Sequence, residues 1–342
     1  MCKQVPLLCC LYWHEVPVIV VTMKSPYLFL FLLVPLFILL QVDTQEEKIV
    51  VPDNSVNTWG KVFGTEPEFY FAEDVSKQQI DLTKKYYKIA AEHWGNYGPL
   101  EFWLVGDNED AARKLDKEYC ALRTQKSPSM PAEHCMNRGH NFITYAKEGN
   151  AGLNLRRNEY EEWSGFIITM TSKYPSPTED DYKPVLFHEY FHVYQQAHIH
   201  TRDETEREKF AQKNPWWLEG GAEYMGQLLY SKQEGVRDGY LKEVMQWKLN
   251  SIKDLKKDQR IDQIPYGPDA PIAYDLGTWF IAFLINKSSE ESYRVDFFND
   301  LNDEGFEGSF MKHFGASSSD LLTEFHSHFL NLPISEKMKI IP

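Results

Sequence analysis

Hydrophobic positions fall into three regimes along the chain. Residues 27–40 are an unbroken apolar run of fourteen, Tyr27 to Leu40. Between residues 68 and 171, short apolar segments alternate with amphipathic ones. Glu68–Ala72, Leu100–Val105 and Gly165–Thr171 read as strands, dense in aromatic and β-branched residues. Ile80, Tyr87, Ala90, Ala91 and Trp94 recur at helical spacing within 75–94, and Gly95 ends that helix. A second helix opens on Asp107 as N-cap and runs to about Tyr119. Residues 121–160, rich in Asn, Arg and Gly, read as irregular. From 184 onward the spacing is helical, over 184–199, 215–232, 236–250, 274–287, 291–302 and 318–331. Strands alternating with helices and then helices alone predict an α+β fold: a small N-terminal mixed sheet with helices, followed by a mainly helical half. The division falls near residue 160, with an α/β part over 46–160 and a helical part over 161–342.

The apolar run follows Met23-Lys24 and precedes the polar Gln41-Val42-Asp43-Thr44-Gln45, the layout of a secretory signal peptide that starts at Met23. Residues 1–22 then read as an upstream extension, and 1–45 as a leader. Fourteen residues, interrupted by Pro35, are short of the about 20 a membrane span needs. An uncleaved anchor over 27–40 is the alternative, since no small-x-small cleavage site is present. The expected destination is outside the cytosol, secreted or periplasmic. Of five cysteines, Cys2, Cys9 and Cys10 fall in the leader, leaving Cys120 and Cys135. An even pair in an exported chain, flanking the polar stretch Ser127–Pro131, reads as one disulfide. Closing that loop stabilises the fold by about 3 kcal/mol in the chain-entropy account.

The formal charge of −14 changes the picture by exclusion. Lys3, Lys24, Glu15 and Asp43 cancel in the leader, so the acidity belongs to the remainder. Such a balance argues against nucleic acid or an anionic lipid surface as a partner.

The candidate chemistry lies in Lys183-Pro184-Val185-Leu186-Phe187-His188-Glu189-Tyr190-Phe191-His192-Val193-Tyr194. Residues four apart on a helix lie about 40° from each other, so His188 and His192 project from one face, one turn apart. Two imidazoles so placed can grip one Zn²⁺, and Glu189, one step round, can reach a water on it. Phe187, Tyr190, Phe191 and Tyr194 form the side that buries the helix. Pro184 suits the first turn, and Asp180 and Asp181 suit the positive end of the helix dipole.

A catalytic zinc site needs a third protein ligand and an open position. His198 follows His192 at the metzincin spacing, but that pattern requires Gly where Gln195 stands. On a continuing helix His198 points about 120° away from His192 and out of reach. The stronger candidate is Glu219, in Asn214-Pro215-Trp216-Trp217-Leu218-Glu219-Gly220-Gly221-Ala222-Glu223-Tyr224. Asn214 and Pro215 open a helix there. Gly220 and Gly221 each cost about 1 kcal/mol relative to Ala inside it, which a close approach to the first helix would require. Glu223 shares the face of Glu219 and could accept the second N–H of a liganding histidine. Thr201–Lys213, mostly charged, reads as an exposed loop between the two helices.

His188-Glu189-x-x-His192 followed by Trp217-Leu218-Glu219-Gly220-x-Ala222 resembles the gluzincin metallopeptidases, the clan of thermolysin and aminopeptidase N, over about residues 160–330. The resemblance implies a zincin-like fold with the active site between sheet and helices, one Zn²⁺ on His188, His192 and Glu219, and Glu189 as general base. Ala273-Tyr274-Asp275-Leu276-Gly277 is similar to the Tyr-x-x-Gly stretch of the aminopeptidase group, which makes Tyr274 the oxyanion donor, with Tyr266 in reserve. The chain departs from that group in two ways. His192 and Glu219 are separated by 26 residues, more than in aminopeptidase N, and Gly165–Thr171 lacks the Glu that holds a substrate's free amine. The expectation is therefore an endopeptidase acting on a peptide or protein, with that strand available to pair with an extended substrate. A binding protein for peptide or glycan on the same scaffold, and a zinc hydrolase of a non-peptide amide or ester, are the competing readings. His326 and His328 point to opposite sides of their helix and read as surface residues.

Overall fold

The structure, a computed structural model, describes residues 64–128, 131–138, 141–156, 164–172 and 182–342. The leader with its apolar run, and Asp180 and Asp181, lie outside the described residues. Elements follow in the order β1 (Glu68–Phe71), α1 (Lys77–Trp94), β2 (Leu100–Val105), α2 (Glu109–Lys126), α3 (Ala132–Met136), α4 (Phe142–Glu148), β3 (Ala151–Arg156) and β4 (Gly165–Thr171). Helices continue with α5 (Tyr182–Ala197), α6 (Glu204–Ala211), α7 (Pro215–Ser231), α8 (Tyr240–Lys248), α9 (Ala270–Lys287), α10 (Phe297–Phe314) and α11 (Ser318–Ser327). The class is α+β, with one four-stranded mixed sheet and a mainly helical remainder. No described helix is long and apolar enough to cross a membrane.

Strands lie in the order β1-β2-β4-β3, the first three parallel and β3 antiparallel to β4. β2 and β4 are buried throughout, as near-continuous apolar strands at the centre of a covered sheet must be. Their one carboxylate, Glu101, is paired with Arg123 and Lys126 and accepts the Trp103 indole N–H. The central placement of β4 corrects one expectation. It is paired on both sides, so among the described residues the edge strand beside it is β3.

β3 falls in the stretch that reads as irregular from sequence, together with α3, α4 and the last turns of α2. Asn154 and Arg156 dilute its apolar alternation, and pairing with β4 supplies what propensity does not. The N-cap of α2 is Asn108, whose side chain accepts the N–H groups of Asp110 and Ala111, one position beyond the expected Asp107. Later helices shift for local reasons. α8 starts at Tyr240 because Gly239, with φ 77°, breaks the preceding turn. α10 bends at Gly305, with φ 70°.

Thr201–Lys213 is not a loop. It holds α6, whose buried Arg207 donates to the carbonyls of Ile199 and Thr201 at 2.8 Å each and to Gln196 Oε1 at 2.6 Å, tying down the chain that leaves α5. His326 is also more than a surface residue. Half-buried, it accepts the backbone N–H of Ile261 at 3.2 Å, whereas His328 is exposed.

α5 is the pivot of the molecule. Its aromatic side meets α1 through Trp94, whose ring contacts Phe187, Tyr190 and Phe191. Its other side packs against α7, which is held in turn by Trp217 among Tyr293, Phe297, Phe306 and Phe310. Such aromatic contacts each add about 0.5–1.5 kcal/mol beyond area burial.

Candidate metal centre

His188 and His192 emerge from consecutive turns of α5, and α7 delivers Glu219 opposite them. The two Nε2 atoms are 3.0 Å apart, and Glu219 Oε2 lies 3.3 Å from His188 Nε2 and 3.1 Å from His192 Nε2. All three side chains are buried, and they are the one group of three or more His, Cys, Asp or Glu among the described residues suited to hold a metal ion.

The register of α7 rests on glycines, in part in the expected way. A Cβ on Gly220 would stand 2.5 Å from the Gly277 backbone of α9, and one on Gly221 would strike the Tyr293 hydroxyl. Towards α5, a Cβ on Gly221 would also lie 2.9 Å from Gln195 Nε2, and one on Gly226 would lie 3.0 Å from His188 N. Gly220 therefore seats α7 on α9, whereas Gly221 and Gly226 let it close on α5.

Each imidazole has its outer nitrogen occupied. His188 Nδ1 is 3.0 Å from Glu223 Oε2, and His192 Nδ1 is 2.8 Å from Gln195 Oε1. Gln195 is oriented by its own amide, whose Nε2 donates to the Leu218 carbonyl at 3.0 Å. An amide oxygen and a carboxylate can only accept, so both rings carry hydrogen on Nδ1 and turn Nε2 inward. Glu219 is oriented likewise. Its Oε1 accepts the Tyr266 hydroxyl at 3.0 Å, leaving Oε2 for the histidines.

Electrostatics match a cation site. For His188, burial opposes protonation, but Glu219 and Glu223 outweigh it and push the ring up to about 10. Burial would raise Glu219, yet the charges and hydrogen bonds of His192 and His188 hold it well below the usual carboxylate range. Negative charge is thus concentrated where the two Nε2 atoms converge, and a cation would displace the proton that His188 otherwise keeps there.

Glu189 lies beside these donors at 1% exposure. Its carboxylate faces the Leu153 N–H of edge strand β3, while Oε2 has no hydrogen-bond partner. Burial raises its pKa, and the His188 and His192 charges pull the other way. A buried carboxylate oxygen left bare costs about 1–3 kcal/mol or more and asks for a polar atom within the site.

These observations test zinc directly. An ion bound tetrahedrally at about 2.0–2.1 Å separates its ligand atoms by roughly 3.3 Å. The observed separations of 3.0, 3.1 and 3.3 Å match that triangle. Two imidazoles and one carboxylate are a zinc donor set, with a fourth position left over, and the bare Glu189 oxygen fits a water there.

His198 does not join the group. It donates from Nδ1 to the Tyr194 carbonyl at 2.7 Å and is boxed in by Tyr97, Tyr194 and Phe298. Tyr274 sits on α9, its carbonyl accepting the Thr278 hydroxyl, and Tyr266, the reserve, donates to Glu219 in the donor set. Gln195, Lys248 and Asp275 are participants that sequence reasoning missed. Gln195 was within reach of it, standing three residues after His192 on the same helical face. Nothing local marks Lys248, whose ammonium lies 2.9 Å from Glu223 and 3.0 Å from Asp275. No family model, curated protein or solved structure matches the chain.

Proposed function

We propose that the chain is an exported zinc metallopeptidase, an endopeptidase on a zincin-like scaffold. The observation that carries this reading is the buried triangle of His188, His192 and Glu219 with the bare oxygen of Glu189 beside it. A purely structural metal site has four closed ligands and no use for a buried carboxylate at its open side. When bound, zinc supplies Lewis acidity, drawing the pKa of a water towards 7 and polarising the scissile carbonyl.

The remaining work falls to the chain. Glu189 takes the proton of the attacking water and hands it to the leaving amine nitrogen. Its contact with Leu153 N–H places it at the rim of β3, where an extended peptide can add as a fifth strand. Such pairing reads the backbone of the substrate, and β4 carries no carboxylate to capture a free amine, which favours internal bonds over chain ends. Tyr266 fixes Glu219 through its second oxygen. Tyr274, from its resemblance to the aminopeptidase motif, is assigned the oxyanion. Export accords with the apolar run at 27–40, read as a signal peptide, and with the Cys120–Cys135 disulfide, which suits an oxidising compartment.

The test is Glu189→Gln. The variant should retain one zinc per chain and lose about 10²–10⁴-fold in hydrolysis of a quenched peptide library, consistent with loss of a general base. Chelation should silence the wild type and added Zn²⁺ restore it. Full turnover by the variant, or hydrolysis indifferent to chelation, refutes the reading.

A further inference from the structure

Behind Glu223 lies a buried ionic chain that joins four helices. His188 on α5 meets Glu223 Oε2 on α7 at 3.0 Å. Glu223 Oε1 meets the Lys248 ammonium, at the end of α8, at 2.9 Å. Lys248 meets Asp275 Oδ1 on α9 at 3.0 Å, and Asp275 Oδ2 accepts the Ser251 hydroxyl at 2.5 Å. Gln227 also donates to Glu223 Oε1 at 3.1 Å, and its own oxygen accepts the Tyr240 hydroxyl at 2.7 Å. The Lys248 side chain is only 7% exposed.

Burying an ammonium costs several kcal/mol unless good partners offset it, and an ion pair holding helices together is no more stable than apolar packing would be. Its placement therefore calls for a reason beyond stability. Glu223 has one oxygen saturated by two donors, Lys248 and Gln227, so its other oxygen has a single direction left, towards His188 Nδ1. That direction decides where the Nε2 lone pair of His188 points. Asp275 in turn keeps Lys248 from swinging to solvent, with Ser251 holding its far oxygen.

We infer that Lys248, anchored by Asp275, is a positioning residue for the metal: it locks Glu223 against His188 and so sets the affinity of the site for zinc. The inference rests on the zinc reading above and adds to it a determinant on α8 that no motif contains. Removing the ammonium leaves Glu223 and Asp275 facing the same buried space with no cation between them. Glu223 then turns away, and His188 loses the acceptor that aims it.

The experiment is a zinc titration against a chromogenic chelator on Lys248→Met, Asp275→Asn and the double variant, with the visible spectrum of the Co²⁺ forms alongside. Lys248→Met should bind zinc about 10–100-fold more weakly, the usual cost of losing an outer partner of a liganding histidine. The double variant removes the surplus carboxylate with the lysine and keeps the wild-type charge. It should stay weak and give an altered Co²⁺ spectrum, because position and not charge has been lost. It also supplies the answer if Lys248→Met alone fails to fold. Wild-type affinity in the double variant, with an unaltered Co²⁺ spectrum, overturns the inference. A wild-type chain that takes up no zinc at all sinks the underlying reading instead, and the two failures are told apart by the wild-type titration.

Discussion

His198 and Glu219 show how little a residue's type settles by itself. Both are buried near α5, both belong to zinc-binding types, and only one faces His188 and His192. Glu219→Ala should abolish stoichiometric zinc, whereas His198→Ala should leave it intact, as metal analysis of the purified variants would reveal. His198 has a different effect, on acid stability. Burial depresses it to about 4 from an ordinary 6.5, so the folded state keeps it neutral while the unfolded chain takes up a proton. Its contribution is complete above about pH 6.5 and is lost as pH falls towards 4, on the order of 3 kcal/mol across that window. His198→Phe should flatten the decline of the urea midpoint over the same range. A decline as steep as in the wild type would show that another group is responsible.

At the scale of elements, the site depends on how closely α7 can be seated. The glycine pair after Glu219 was legible as a demand for space, since glycine within a helix is otherwise a cost. The expected neighbour, α5, is met by Gly221 through Gln195, but the neighbour of Gly220 was not legible. Gly220 meets Gly277 of α9, and reciprocally a Cβ on Gly277 would strike the Trp216 carbonyl. Backbone against backbone cannot yield as a side chain can. Gly220→Ala should therefore destabilise the fold by about 1–3 kcal/mol or more through overpacking, and loosen zinc because Glu219 is the adjoining residue. Thermal denaturation of the zinc-free protein reads the first effect and chelator competition the second. An unchanged melting curve would mean α7 and α9 can slide apart freely.

Across the whole molecule, the N-terminal α/β part contributes the sheet edge beside Glu189, and the helical part contributes the donors. The Cys120–Cys135 disulfide, with Cα atoms 5.6 Å apart, joins α2 to α3 within the former. The closed segment spans 15 positions, worth about 3 kcal/mol in loop entropy. Reduction should lower the denaturant midpoint accordingly and leave zinc uptake in native buffer unchanged, because both donor helices lie later in the chain. Loss of zinc on reduction would show that the sheet half holds the site together more directly.

The amino-acid sequence by itself determined whatever short-range periodicity controls. It was enough to place two histidines on one face of α5, to read β2 and β4 as strands, to open α7 at Asn214-Pro215, and to single out Glu219, Glu223 and the cysteine pair. Tertiary structure decided the rest. It made β3 the edge in place of β4, put Tyr266 on Glu219 across 47 positions, gave Gln195 to His192, and brought Lys248 behind Glu223. The physical reason is one of range. Helical and strand spacing repeats within a few residues and is visible locally, but a hydrogen bond across the core depends on which helices the packing presses together.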